Sequence, residues 1–351
     1  MNNLTINRHP IITEDMEEIF SKSEGWRQFA GKHIVITGST GLLASYLIEF
    51  FSWLNETWTE APIVIYALAR HQVKMEQRFP HLMSKDWFRP VIQDVCMAFS
   101  ESDKVDFIIH AASPSSPKYF LSDPVGTIKA NAVGTLNMLE LARSTGARLL
   151  FMSSGAIYGH GESLESIKET DLGVLDPLNI YSCYGEGKRI AETLCSAYWH
   201  QYNVPAIIAR ISHSYGPGMA LDDGRVFADF IADALSGRDI LLNSDGTSSR
   251  PFCYVADTTA AFLVLLLRGE GGEAYNVGMD YEITILDLAK LIARLSPHEN
   301  IKVKLPQQEK NKSFEFRASG HFNINKIRSL GWSPDTSYEI GFKRTLKYFI
   351  N

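Results

Sequence analysis

The stretch that decides the fold is His33-Ile-Val-Ile-Thr37-Gly38-Ser-Thr40-Gly41-Leu42-Leu-Ala44. Five residues of strand-like, mostly β-branched sequence run without a break into a glycine-rich turn, and the turn runs into a helix-compatible segment, 42–54. Gly38 suits a tight turn, Gly41 lets backbone come close to a pyrophosphate, and the small Ala44 lets helix and strand pack closely. The amides at the start of the following helix are then left to meet phosphate charge. The reading is a dinucleotide-binding turn at the first strand of an α/β domain.

Outward from this turn, apolar runs at 33–37, 63–69, 90–93, 106–110, 147–152 and 205–210 alternate with periodic helix-length stretches such as 124–145 and 183–202. Such alternation predicts a parallel sheet covered by helices on both faces, an α/β doubly wound fold. After Arg210 the texture changes to loops and shorter elements around Gly216-Pro217-Gly218, Asp222-Asp223-Gly224 and Ser244-Asp245-Gly246, which reads as a smaller α/β lobe. The expected organisation is a helical extension (1–30), a nucleotide domain (31–211 and 252–276), a substrate lobe (212–251 and 277–335) and a C-terminal helix (336–351). The extension, with its charged segment Thr13 to Phe29, has no assigned role.

At 351 residues the chain is long enough for two such units, and 45% hydrophobic with 21% charged residues is a globular composition. Thirty-four Lys and Arg against 40 Asp and Glu leave a net charge of −6, which disfavours nucleic acid and anionic lipid as partners and requires any phosphate to be met locally. Cys96, Cys183, Cys195 and Cys253 show neither metal-ligand nor disulfide spacing, so no metal is expected. The N-terminus lacks the basic and apolar runs of a signal peptide, and the longest apolar stretch, Ala260 to Leu267, is far short of a membrane span. A cytoplasmic protein is expected.

Past the second strand the sequence reads Ala69-Arg70-His71. A free ribose 2′-hydroxyl would call for an acid there, whereas Arg70 can pair with a 2′-phosphate, so NADP(H) is favoured over NAD(H). Asp94 stands where it could accept from an adenine amino group or cap the following turn. Tyr184-Gly-Glu-Gly-Lys188 opens a helix pattern, and residues four apart share one helix face. A neighbouring ammonium lowers a phenol's pKa, fitting Tyr184 to exchange a proton with an alcohol or carbonyl oxygen. Ser154, at the end of the fifth strand, can bond the same oxygen or cap the next turn.

Together these motifs resemble the extended short-chain dehydrogenase/reductase family, in its nucleotide-sugar epimerase/dehydratase branch. The likeness spans about residues 32–350 and includes His110-Ala-Ala-Ser-Pro114, Asn131-Ala-Val-Gly-Thr-Leu-Asn137, Ser182-Cys-Tyr-Gly-Glu-Gly-Lys-Arg189, Tyr215-Gly-Pro217 and Arg250-Pro-Phe-Cys-Tyr-Val-Ala-Asp257. It is closest to UDP-glucuronate decarboxylases in 110–138 and 182–257. The resemblance implies a Rossmann domain and a homodimer built on helices near 115–140 and 183–202. It also implies cofactor contacts at Gly38, Thr40, Gly41, Leu42, Arg70, Asp94, Ala111 and Lys188, and catalysis by Ser154, Tyr184 and Lys188. Ser113, Arg225, Arg250, Arg317 and His213 fall at its substrate positions; His213, where the family usually has Asn, could contact substrate, act as an acid or simply pack.

One departure bears on the reaction. Where decarboxylases read Thr-Ser-Glu and 4,6-dehydratases Thr-Asp-Glu, this chain reads Ser154-Gly155-Ala156, and Ala156 cannot move a proton. Decarboxylation and dehydration are thereby disfavoured. The expectation is an NADPH-dependent reductase of the C4 ketone of an NDP-4-keto-6-deoxyhexose, serving surface-polysaccharide precursor synthesis. The alternative is an NAD-dependent 4-epimerase, and a non-catalytic nucleotide sensor is remote because Tyr184 and Lys188 are both present.

Overall fold

The chain at His33–Thr37 (β1) forms an interior strand because Ile34, Val35 and Ile36 are apolar and β-branched and are buried on both sides. In the computed structural model, which describes residues 8–22, 25–59, 61–100, 104–159, 166–306 and 320–350, β1 lies inside a seven-stranded parallel sheet. The other strands are Val64–Ala69 (β2), Phe88–Ile92 (β3), Phe107–His110 (β4), Arg148–Ser154 (β5), Ala206–Ile211 (β6) and Ala274–Val277 (β7). Their order is β7-β6-β5-β4-β1-β2-β3, with every neighbouring pair parallel.

Connections after β1 run one way through β2 and β3, and those after β4 run the other way. The strand order therefore reverses between β1 and β4, where doubly wound sheets open a crevice beyond their carboxyl ends. Thr37 pairs with both Leu68 and His110, His110 with Phe151, and Ser154 with Ile211, so the carboxyl ends of β1, β4, β5 and β6 border one edge.

The helices that shape that edge are Leu42–Thr57 (α2), Pro124–Thr145 (α3), Ser182–Tyr202 (α4) and Val255–Arg268 (α5). Asp123 caps α3 by accepting the Gly126 amide, and α3 ends at Gly146, whose φ of +73° is the left-handed stop that a helix commonly uses. In the N-terminal segment, Pro10–Ser21 (α1) buries Ile11, Met16 and Ile19 and packs on α2 and α5, followed by a short turn of helix, Gly25–Phe29, that buries Trp26 and Phe29. The extension is thus part of the core. Inside it, buried Asp15 accepts hydrogen bonds from Tyr46 and Tyr254, each at 2.8 Å, and pairs with Arg344 of the last helix, Tyr338–Ile350 (α6).

Beyond β6, helices Val226–Leu235 and Ile285–Leu295 pack together. Around them lie two-stranded pieces: Ser249–Arg250 with Ile283–Thr284, His213–Tyr215 with Phe252–Tyr254, and Ile240–Leu241 with Val303–Lys304. A fourth piece, His321–Phe322 on Ser166–Ile167, brings the far end of the chain back to the edge next to Ser154.

Candidate active site

The phosphate end is built by backbone. Gly38 has φ +66°, and a Cβ there would stand 2.8 Å from the Ala112 Cα and 2.9 Å from its nitrogen, so the position accepts only glycine. Gly41 is the exposed N-cap of α2 and lends no side-chain oxygen to its first amides, which leaves them and the positive end of the helix dipole for an anion. Thr40 is half-buried in the turn and Leu42 begins the helix, partly packed on the core.

Across the turn, Thr37 Oγ1 accepts the Ala111 and Ala112 amides, each at 3.1 Å, and bonds His110 Nδ1 at 2.8 Å. Having accepted two amides, the Thr37 hydroxyl donates to Nδ1, and the Nε2–H is left to donate to Thr135 Oγ1 at 3.1 Å. Burial pushes the His110 pKa down to about 3, so it is a neutral strut joining β1, β4 and α3.

Arg70 stands exposed immediately after β2. Of the two readings of Asp94, turn capping is what the fold displays. Its Oδ1 accepts the Cys96 amide at 2.8 Å, and that bond is the largest cause holding its carboxyl below the usual range, with Arg70 and Lys129 adding to it.

Tyr184 and Lys188 lie in the first turns of α4, on one face. The Lys188 ammonium is 5.7 Å from the Tyr184 ring centre and 4.7 Å from that of Phe151, and it donates to the Met152 carbonyl at 2.6 Å. Burial pushes the Lys188 pKa down to about 7, opposed mainly by Glu192. Tyr184 is half-buried, its ring stacked on Phe120 at 5.1 Å and 17°. Ser154 ends β5 and its Oγ accepts the Ala156 amide at 3.2 Å, capping the turn Gly155–Tyr158. Because Ser154 accepts in that bond, its own proton remains for another acceptor. Capping and a catalytic contact are therefore compatible in one hydroxyl.

Of the expected substrate residues, Ser113 accepts from Asn131 Nδ2 at 3.0 Å, and Arg225 pairs with Asp223 at 3.1 Å. Ser116 donates to the Asp223 carbonyl and Arg225 reaches Ser115 Oγ at 3.4 Å, so the loop after β4 and the 222–225 loop are tied together beside Ser113. Arg250 donates to its neighbour's carbonyl, and His213 leans on Phe252 with ring centres 5.5 Å apart, the packing role left open for it. Arg317 lies outside the described residues.

Sequence reasoning missed Phe120, and it quoted Asn131 within a motif without giving it a role. Asn131 is buried, and its Oδ1 has no hydrogen-bond partner among the described residues, an acceptor awaiting a donor next to Ser113. Uncapped amides on α2, the glycine turn, a buried lysine and this orphaned acceptor together fit a dinucleotide: Gly41 and Leu42 at its phosphates and Lys188 at its reactive end. Among the described residues no group of three His, Cys, Asp or Glu side chains could hold a metal ion, and no helix is long and apolar enough to cross a membrane.

Residues 34–278 match the model of the NAD dependent epimerase/dehydratase family. The chain is 38% identical over 311 residues to UDP-glucuronic acid decarboxylase 5 of Arabidopsis thaliana, covering 88% of this chain and 86% of that protein. It is 34% identical over 319 residues to UDP-glucuronic acid decarboxylase 1 of Danio rerio, covering 91% and 72%. Among solved structures, UDP-glucose 4-epimerase of Thermotoga maritima superposes with a TM-score of 0.75 at 21% identity, covering 91% of this chain and 98% of that one. The dTDP-glucose 4,6-dehydratase of Bacillus anthracis, solved with NAD, superposes at 0.73 and 22% identity, covering 91% and 96%.

Proposed function

The chain belongs to the NAD-dependent epimerase/dehydratase family of nucleotide-sugar enzymes, and from that premise we propose that it reduces the C4 ketone of an NDP-4-keto-6-deoxyhexose with NADPH. The observation that carries this reading is the turn after Ser154. It presents Gly155 and Ala156, neither able to exchange a proton, while Ser154 ends β5 and Lys188, 5.7 Å from the Tyr184 ring centre, reaches the Met152 carbonyl of the same strand. Our reading therefore does not pass the decarboxylase activity of the sequence relatives on to this chain.

When bound, the nicotinamide supplies the hydride that C4 receives. Tyr184 donates its phenolic proton to the C4 oxygen as that bond forms, so the ketone becomes an alcohol. Ser154 uses the proton not engaged with Ala156 to hold the same oxygen. Lys188, with a pKa lowered to about 7, offers an ammonium that stabilises the Tyr184 phenolate left behind. Arg225, tied to the Ser113–Ser116 loop, supplies a guanidinium for the substrate diphosphate, and Arg250 and Arg317 are assigned with it.

Arg70 favours NADPH and a cofactor exchanged at each turnover; the NAD dependence of the family favours the competing 4-epimerase, which would use the same three side chains twice. In our reading two chains pair through α3 and α4, where Val125, Ile128, Leu136 and Ile190 are exposed, and the protein works in the cytoplasm.

Absorbance at 340 nm with NADPH and a panel of dTDP-, GDP-, CDP- and UDP-4-keto-6-deoxy sugars tests the proposal. Stoichiometric NADPH loss, abolished in Tyr184→Phe, is the expected result. Interconversion of C4 epimers without net loss would replace the reductase with the epimerase.

A further inference from the structure

The three side chains assigned to chemistry sit on two separate elements. Tyr184 and Lys188 are on α4, whereas Ser154 ends β5, so something must fix how far along one another these elements lie. Glu192 continues the helix face of Tyr184 and Lys188 by one more four-residue step. Its carboxylate accepts from Ser153 Oγ and takes a forked ion pair from Arg210, with Nε at 3.2 Å from both oxygens and Nη2 at 2.8 Å from Oε2. Both side chains of the pair are only 11% exposed.

Ser153 immediately precedes Ser154, and successive residues of a strand point to opposite faces. Ser153 is held from behind by Glu192 while Ser154 faces the turn. Arg210 is directly across from Ser153 in the β5–β6 register. Its remaining nitrogen donates to the Tyr158 hydroxyl at 3.2 Å and to the Glu169 carbonyl at 2.6 Å, and Tyr158 donates in turn to Asn276 Oδ1 on β7 at 2.6 Å. The turn that Ser154 caps is thus gripped at Ser153 before it and at Tyr158 at its end.

We propose that Glu192 is a positioning residue: by holding Ser153 and Arg210 it sets the alignment of Tyr184 and Lys188 on α4 against Ser154 on β5. The same carboxylate is the leading charge favouring the Lys188 ammonium against burial. The other titratable groups facing Lys188 are Cys195 on α4, the Tyr184 ring, and His110 on β4, which burial keeps neutral. Glu192 therefore both places the pair and keeps its cation charged near neutrality.

The inference rests on the proposed reductase reaction only for its activity readout, so the experiment has one arm free of substrate. Lys188 Nζ is titrated by NMR in the full chain, its signal assigned by its loss in Lys188→Arg. In Glu192→Gln the midpoint falls by about one pH unit, a tenfold loss of ammonium above it; an unmoved midpoint overturns the role.

Ser153→Ala removes the tether but keeps the charge. The Lys188 midpoint then stays in place, while kcat falls about tenfold with the KM for NADPH within about twofold. Wild-type kcat in Ser153→Ala overturns the alignment claim. If Glu192→Gln fails to fold, Ser153→Ala and Arg210→Lys carry the test on kcat. If no keto sugar is turned over, the reductase reading falls and the Lys188 titration still decides for or against Glu192.

Discussion

Gly155 follows Ser154, and the space a side chain would need there is already filled by Phe322. A Cβ on Gly155 would lie 2.6 Å from Phe322 Cζ and 3.2 Å from Cε1. The ring is 5% exposed and is held edge-on to Tyr158 at 5.8 Å, so it has little room to retreat. Gly155 does not have a positive φ, so backbone strain is not at issue. Gly155→Ala should then cost about 1–3 kcal/mol from overpacking, reduced by about 0.4–1 kcal/mol because alanine restricts the unfolded chain. Phe322→Ala alone should cost about 3–5 kcal/mol through the cavity it leaves. If the two positions collide as described, the new methyl enters that cavity, and the double variant should be about 1–2 kcal/mol more stable than the sum of the single losses predicts. Urea unfolding of the four proteins at one temperature measures the coupling. Additivity to within about 0.5 kcal/mol would refute the argument and leave Gly155 without a steric reason.

Three other outcomes follow from named contacts. Arg70→Ala should raise the KM for NADPH about tenfold or more and leave that for NADH within about threefold, because in the proposed site the guanidinium meets the cofactor at the 2′-phosphate; equal effects in initial-rate measurements would remove Arg70 from the cofactor site. Ile128→Asp, on the exposed apolar stripe of α3, should convert a dimer into a monomer in sedimentation velocity, and a wild-type chain that sediments as a monomer would defeat the pairing. The third concerns acid stability. Burial raises the Asp15 pKa to about 7, so its contribution is present at low pH and is lost as pH rises from about 4 through 7. His110, pushed down to about 3, works the other way, its contribution being lost as pH falls from about 6.5 towards 3. The two slopes oppose each other between about pH 4 and 6.5, and Asp15→Asn should unmask a rise in stability of about 1 kcal/mol per pH unit there. Parallel denaturation midpoints for wild type and variant across that range would contradict it.

What could be read from the sequence was whatever one element encodes by itself. The helix spans 124–145 and 183–202 were legible because periodicity is local, and Tyr184 with Lys188 because four residues make one turn of helix. Gly38 was legible because the backbone there forbids any other residue. Strand ends drifted by one or two residues, as with 90–93 against the observed Phe88–Ile92, since pairing partners and not the strand's own residues set them. Phe120 against Tyr184, Asn131 beside Ser113, and Glu192 between Ser153 and Arg210 were not legible, each being a contact between elements distant in sequence. The N-terminal segment was opaque for the same reason: Asp15 acquires its meaning only from Tyr46, Tyr254 and Arg344.

This division bears on how one fold carries several reactions. The phosphate end consists of amides and glycines whose placement the sheet dictates, and it has no means of selecting a chemistry. In the proposed reaction Tyr184 and Lys188 likewise supply only a proton and a charge at a fixed place. In our reading, selection against decarboxylation and dehydration falls to the few positions after Ser154, where a carboxyl group would add a second proton-transfer site and where this chain has Gly155 and Ala156. The packing of Phe322 onto Gly155 shows that a side chain is not merely missing at 155, because its space is taken. Restoring a carboxylate by a single substitution at Ala156 would therefore place it on a turn still shaped around Phe322. Ala156→Glu alone should leave reductase turnover impaired without creating decarboxylase activity on UDP-glucuronate, measurable as released CO2. Release of CO2 by that single variant would mean that the turn, and not the packing beneath it, decides the reaction.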